Sequence, residues 1–457
     1  MAGLRHTLRS GQLSTTYNGP AAAVPPWRTA GHALRPRPLL PMPPPPPASA
    51  PSQRRWEIDA VRGLMLVLMT VTHVPTRISV PLGQPFGFVS AAEGFVLLSA
   101  YMAGLVYGRI AFRQGVPQMR RAFWRRALTL YGCQAAALLF LFTVITVIGV
   151  SADEGAVKGL IAFYFAHPVD ALLGSLLLVH EPPLLDILPL YVLFMLLSPW
   201  VLSFALQRGW AAVMGVSVLL WLLEQFGFAR WAYGYFAQVL PVSVPFTETG
   251  SFVMGAWQFL WVMGLWMGAS RNDPQAPPFA FPRWTLWAAC AIALTGFVWR
   301  HAVGQVPFPH TPQLNVLLDK WLLAPLRLID LFALTVLAIR FGPGLLARLP
   351  RMRWLETLGS ASLAVFCAHL VVVLLVLSLF GANYQRPWLL DLALLAACFG
   401  SLYAVARITL WLDRQPGDDA DALAPPVPYA EKPPPLTHDD GALPLQSENL
   451  LPAAKTL

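Results

Sequence analysis

Charged residues are scarce in this chain: they form 12% of its 457 residues, against 56% hydrophobic ones. A soluble domain carries about twice that share of charge, so an ordinary soluble fold is excluded, in line with a mean hydropathy of +0.55. Cysteine is scarce too. Cys133, Cys290, Cys367 and Cys398 each lie inside an apolar stretch, and none has the spacing of a metal ligand, so neither a disulfide framework nor a metal site is expected. The first 50 residues lack an apolar core, so no cleavable signal peptide is expected. No tandem repeat is visible, and no pair of interrupted half-helices suggests an inverted-repeat transporter. The net charge of +9 does not point to nucleic acid, because the arginines sit beside apolar runs, where the positive-inside rule puts them.

What is present is a series of apolar runs long enough to cross a bilayer. Ten are expected, at 58–75, 86–108, 126–150, 184–206, 210–226, 252–270, 284–302, 321–341, 360–381 and 387–411. The segment 160–179 is also apolar, but His167, Pro168 and Asp170 interrupt it, so it reads as a re-entrant or interfacial piece. Arginines cluster at Arg109, Arg113, Arg120, Arg121, Arg125 and Arg126, and again at Arg340, Arg348, Arg351 and Arg353. Ten spans with both termini in the cytoplasm place these clusters inside, whereas eleven do not. The 17 tryptophans fit interfacial belts. The expected fold is therefore all-α: a polytopic transmembrane helical bundle of about ten spans, both termini cytoplasmic. Residues 1–55 and 414–457 are Pro-rich and polar and read as disordered cytoplasmic tails, which leaves 56–413 as one membrane-embedded domain.

The stretch Asp59 to His73 carries a carboxylate, a guanidinium and an imidazole in an otherwise apolar helix. Arg62 and His73 are eleven residues apart, about three turns, so they share a face and are separated by about 16 Å along the axis. Asp59 lies one turn before Arg62, and Pro75 ends or bends the helix just beyond His73. Ionisable groups inside a membrane are costly and usually face a cavity or a partner. The orientation of the spans turns position into depth. It puts His73 towards the outer side, Glu93 about 10 Å below the outer surface, and Arg327, Asp330 and His369 at comparable outer or middle depth. Trp257 and Gln258 begin the sixth span at the outer side. Taken singly, each has a plain structural role open to it: Arg327 and Asp330, one turn apart, would form an ion pair within their helix, and His369 would be a packing histidine. Their shared depth favours a common site.

These residues also resemble a known family. Arg62 followed by ten residues and then His73 is similar to the arginine-to-histidine signature of the acyltransferase type 3 superfamily of membrane-bound acyltransferases. The closer resemblance is to the OpgC family, whose named member succinylates osmoregulated periplasmic glucans. It is carried by Glu57-Ile-Asp59-Ala-Val-Arg62-Gly63, by Ser90-Ala-Ala-Glu93-Gly-Phe-Val-Leu-Leu-Ser99, by Ala324-Pro-Leu-Arg327 and by Leu358-Gly-Ser-Ala-Ser-Leu-Ala-Val-Phe-Cys-Ala-His369. Leu188-Pro-Leu-Tyr191 and Ala256-Trp257-Gln258 add to it. The chain departs from the family pattern in two places. Ser99-Ala100-Tyr101 stands where Ser-Gly-Tyr is expected, and Phe252-Val-Met-Gly255 stands where an Asn-Pro pair is expected before the Trp-Gln.

The resemblance implies an inner-membrane enzyme that moves an acyl group, such as succinyl, from a cytoplasmic donor to a periplasmic sugar hydroxyl. Acyl-CoA would be the co-substrate, with no bound cofactor. In that scheme His73 is the general base or takes the acyl group transiently, Glu93 orients its ring, and Arg62 holds the donor's phosphate or carbonyl oxygen. Asp59, Arg327, Asp330, His369, Trp257 and Gln258 contact substrate, with Arg327 suited to a dicarboxylic acyl tail. The expected partners are the acyl donor, a periplasmic saccharide and the lipid bilayer, with no nucleic acid. The aromatic stretch Phe228 to Tyr235 would stack on sugar rings or form an interfacial belt. The competing class is a transporter that uses the buried His, Glu and Arg as a solute or proton path. It predicts flux without an acylated product. A third class, a membrane sensor or scaffold, would tolerate loss of His73.

Overall fold

The structure is a computed structural model that describes residues 56–151, 155–239, 243–273 and 279–413. The two Pro-rich tails read from the sequence as disordered lie outside the described residues. Helices are the only regular elements among the described residues. The longer ones are α1 (Trp56–His73), α2 (Ala91–Gln114), α3 (Val116–Phe140), α4 (Ile187–Arg208), α5 (Trp210–Glu224), α6 (Phe228–Val239), α7 (Met254–Ser270), α8 (Arg283–Val303), α9 (Pro325–Arg348), α10 (Arg353–Ser360), α11 (Ser362–Phe380) and α12 (Trp388–Leu412). The protein is thus all-α and polytopic. Seven helices are long and apolar enough to cross a membrane, or eight if α5 and α6, bent by 82°, are one span. Of the remaining expected spans, α1 carries Glu57, Asp59 and Arg62, and α7 has only 17 residues.

Three boundaries differ from the sequence reading, each for a local reason. The second span begins at Ala91, five residues later than expected, because Gly87 sits at φ +120° and Ser90 and Glu93 form a capping box that starts the helix. Arg120 to Arg126 lie inside α3, not in a loop. Gly115 alone, at φ +90°, turns the chain out of α2, and Pro117 opens α3. The ninth stretch is broken at Ala361 into α10 and α11. Residues 155–176 form three short helices with breaks at Ile161 and His167, so this segment does not run as one span.

In a bilayer there is little hydrophobic drive between helices, so close packing decides which ones meet, and small residues permit it. α7 is the centre of the bundle, buried on all faces, with Trp257 and Leu260 fully enclosed. It lies against α2 with main chains nearly touching. A Cβ at Gly104 would be 2.2 Å from the Leu265 carbonyl oxygen, and one at Gly268 would be 2.0 Å from that of Tyr101. The first departure from the family pattern falls in this contact. The methyl of Ala100 seats on Gly264, where an added Cβ would be 2.5 Å away. The second departure is accommodated similarly, since Gly255 leaves the space that the Glu224 carboxylate fills.

Candidate active site

The part of the site near the start of α1, the inner one in the expected orientation, is set by a glycine crossing of α1 and α10. A Cβ at Gly63 would lie 2.1 Å from the Leu355 carbonyl oxygen, and one at Gly359 would lie 1.7 Å from that of Asp59. Substitution at either position forces the helices apart. The crossing carries the start of α11 to α1, where the Arg62 guanidinium donates to the Ser362 hydroxyl. Beside them is a mostly apolar cavity of about 200 Å³, lined by Phe95, Tyr191 and Phe366 and with Arg62 and Arg126 in its wall. The Tyr191 hydroxyl donates to the Phe95 carbonyl at 3.2 Å, and Phe95 stacks on Phe366. Asp59 is buried one turn before Arg62.

The other part, the outer one in the expected orientation, gathers side chains from four helices, three of them at a helix end and His369 in mid-helix. His73 is the last residue of α1, and His369 is fully buried within α11. His73 Nδ1 and His369 Nε2 are 3.0 Å apart, so one nitrogen donates and the other accepts, with ring planes at 33°. Glu93, fully buried, lies in the first turn of α2. One of its oxygens accepts from the Arg327 Nε–H. The other accepts from the Ser90 hydroxyl and, at 3.0 Å, from the Ser90 amide. Arg327, in the first turn of α9, also donates from Nη1 to the Leu318 carbonyl at 3.3 Å, while its buried Nη2 has no hydrogen-bond partner.

This geometry reassigns two contacts. The partner of Arg327 is Glu93 of α2, distant in the chain, and not Asp330 within its own helix. The Asp330 carboxylate instead accepts from the Phe88 amide at 3.0 Å and sits in the space left by Gly87 and Gly296, so it fastens the loop that leads into α2. The group in contact with the His73 ring is His369, while Glu93 is engaged by Arg327 and Ser90.

Trp257 and Gln258 serve different surroundings although they are neighbours. The Trp257 indole donates to the Trp321 carbonyl at 3.0 Å. The next two carbonyls of that loop, Leu322 and Leu323, accept from Gln225 and Trp221 of the α5 end. Together they hold Leu323 at φ +45°, a left-handed conformation that costs roughly 1–2 kcal/mol for a residue with a Cβ. The loop so held presents Lys320, whose ammonium lies 4.6 Å from the Trp321 ring centroid and 5.6 Å from that of Phe252. Burial lowers the Lys320 pKa, opposed by the charge of Glu93. The Gln258 side chain is spent on α5: it accepts from the Ser217 hydroxyl and donates to the Ser217 and Gly255 carbonyls. Ser362 and Lys320 were not singled out from the sequence. A usable signal existed for Lys320, because lysine is rare in the 56–413 domain and this one sits at the edge of an apolar run.

Before α4, Glu181 is buried in the turn that meets Gly250, where a Cβ would lie 2.1 Å from its carboxylate oxygen. Burial first, then the charge of Asp186, pushes the Glu181 pKa up from 4.5 to about 9. A raised folded-state pKa means that the folded protein holds a proton that the unfolded chain has lost, so stability falls as pH rises between these two values. Glu181→Gln is therefore expected to raise the apparent Tm near pH 8 and to leave it almost unchanged near pH 5, measured by tryptophan fluorescence of the detergent-solubilised protein. An equal effect at both pH values would mean that Glu181 is ionised in the fold.

Among the described residues, no group of three or more His, Cys, Asp or Glu side chains is placed to hold a metal ion. Comparison with curated proteins gives no match, and comparison with solved structures gives none. The family model described as OpgC protein matches residues 54–414, the whole helical region and most of the chain.

Proposed function

The chain belongs to the OpgC family, and from that premise we propose that it is an integral membrane O-acyltransferase that modifies a periplasmic glycan. The acyl group comes from a cytoplasmic donor, acyl-CoA, and the membrane is the bacterial inner membrane. The observation that carries this reading is the pair His73–His369 at one end of a helix whose other half carries Arg62 beside an arginine-lined apolar cavity.

A sugar hydroxyl is a poor nucleophile at neutral pH and needs a base of near-neutral pKa, which histidine supplies. If His73 Nδ1–H donates to His369 Nε2, the Nε2 lone pair of His73 is left to accept the acceptor's proton. His369 then holds the ring and its tautomer, as the carboxylate does in a hydrolytic triad. The hydroxyl oxygen attacks the thioester carbonyl, the C–O bond forms and the C–S bond breaks. The proton taken by His73 passes to the leaving thiolate. Arg62, with Arg126 across the cavity, is suited to the anionic or carbonyl groups of the donor. The Nη2 of Arg327 suits the free carboxylate of a dicarboxylic acyl group such as succinyl. Glu93 acts on the reaction by keeping Arg327 in place.

The test is mass spectrometry of periplasmic and envelope glycans from cells with and without the protein. An acyl mass increment that appears only with the protein is the expected result, and it names the group transferred. Unchanged glycans together with protein-dependent solute flux would overturn the reading in favour of transport.

A further inference from the structure

His73 ends α1, whereas His369 lies within α11, which runs eleven residues further, to Phe380. Each helix terminus leaves carbonyl oxygens without partners inside the helix and carries partial negative charge. The carbonyls at the end of α11 need donors, and so does the buried carbonyl of Pro75 in the loop that follows α1. One side chain meets both needs. Arg386, in the loop between α11 and α12 and only 4% exposed, donates from Nη1 to the Pro75 carbonyl at 2.8 Å. From Nη2 it donates to the carbonyls of Phe380 and, at 2.8 Å, of Gly381. Pro75 is two residues beyond His73, so the guanidinium joins the continuation of α1 to the end of α11.

We infer that Arg386 is the positioning residue of the histidine pair, fixing the axial register of α1 against α11 and so the contact of His73 with His369. The other contacts there hold that register less firmly. Val74 shares one apolar cluster with Val373 and Val376, and apolar packing of this kind resists separation more than sliding. The Arg77 amide donates to Asp391 at 3.2 Å, which ties the chain after α1 to α12, and the Arg77 guanidinium makes only an exposed 3.3 Å bond to the Gln385 carbonyl of the loop after α11. The inner ends are held separately, by the glycine crossing and by Arg62 on Ser362. Only the outer end therefore depends on Arg386. Lysine does not replace it, because a single ammonium lacks the planar fork that reaches two sets of carbonyls at once.

The geometric claim stands without the acyltransferase reading; only its consequence for rate rests on that reading. The test therefore measures distance. In protein whose native cysteines are replaced, His73→Cys with His369→Cys forms an outer pair, and Arg62→Cys with Ser362→Cys forms an inner one. Both are treated with dibromobimane, which fluoresces when it bridges two thiols. Arg386→Ala is expected to slow bridging of the outer pair by about tenfold, as for removal of a charged donor from buried carbonyls, and to leave the inner pair unchanged. If Arg386→Ala slows both pairs through general unfolding, Arg386→Lys decides: it must slow the outer pair alone. Equal loss at both ends in Arg386→Lys, or an unchanged outer pair in a folded Arg386→Ala protein, overturns the inference. Where the glycan assay gives product, Arg386→Ala should lower kcat with little change in donor KM, with Arg386→Lys intermediate.

Discussion

His73→Ala lowers glycan acylation by roughly 10²- to 10⁴-fold, the range expected when a general base is removed, at a membrane abundance equal to that of the unaltered protein. His369→Ala also lowers it, but by less, because the base remains and only its orientation is lost. Asparagine at 369 should recover part of the rate, since its side-chain oxygen can accept from the His73 ring. The ordering matters more than either value. Equal losses would mean that the two imidazoles share the proton work, and a larger loss at 369 would make His369 the base and His73 its support. The measurement is the acyl increment on envelope glycans, with protein amounts checked by immunoblot. Full acylation by His73→Ala protein would remove His73 from the chemistry.

The second large effect concerns Glu93 and Arg327. Both are buried, at 0% and 2% exposure, so removing either one strands the other's charge. Loss of one partner of a buried pair costs about 3–5 kcal/mol. Glu93→Ala also removes the capping box of α2, worth about 1 kcal/mol, so it should be the more damaging single change. The double variant Glu93→Ala, Arg327→Ala is expected to be more stable than either single variant, because no buried charge is left alone. Thermal unfolding of the four proteins in one detergent gives the coupling directly. Additive losses would show that the two charges reach water independently.

The all-α polytopic character was legible in the sequence because a bilayer demands long apolar runs, and the ionisable residues within them stood out for the same reason. Arg62, His73, Glu93 and His369 could therefore be named, and their gathering could be argued from depth. What each touches could not. The Arg327–Asp330 spacing suggests an ion pair on one helix, but Arg327 is in the first turn of α9, where its side chain reaches the first turn of α2. Ser90 and Glu93 carried a readable signal, since a serine three residues before a glutamate at the edge of an apolar run is a capping box. It marks both the start of α2 and a second ligand of Glu93. Lys320 and Arg386 are in loops, where neither periodicity nor depth applies, and their roles depend on the tertiary structure. The Trp257-Gln258 motif reads as one unit in the sequence, yet one side chain binds the loop before α9 and the other binds α5.

α1 runs unbroken from Trp56 to His73, with a consequence for which donors the proposed enzyme can use. An unbroken helix is a ruler. A donor whose head stays at Arg62 must deliver its acyl carbon about 16 Å further along the axis to meet a hydroxyl at His73. Selection is then by reach as much as by charge. A thioester on a long flexible arm satisfies both, whereas an acyl phosphate, with the same anionic chemistry and no arm, binds and falls short.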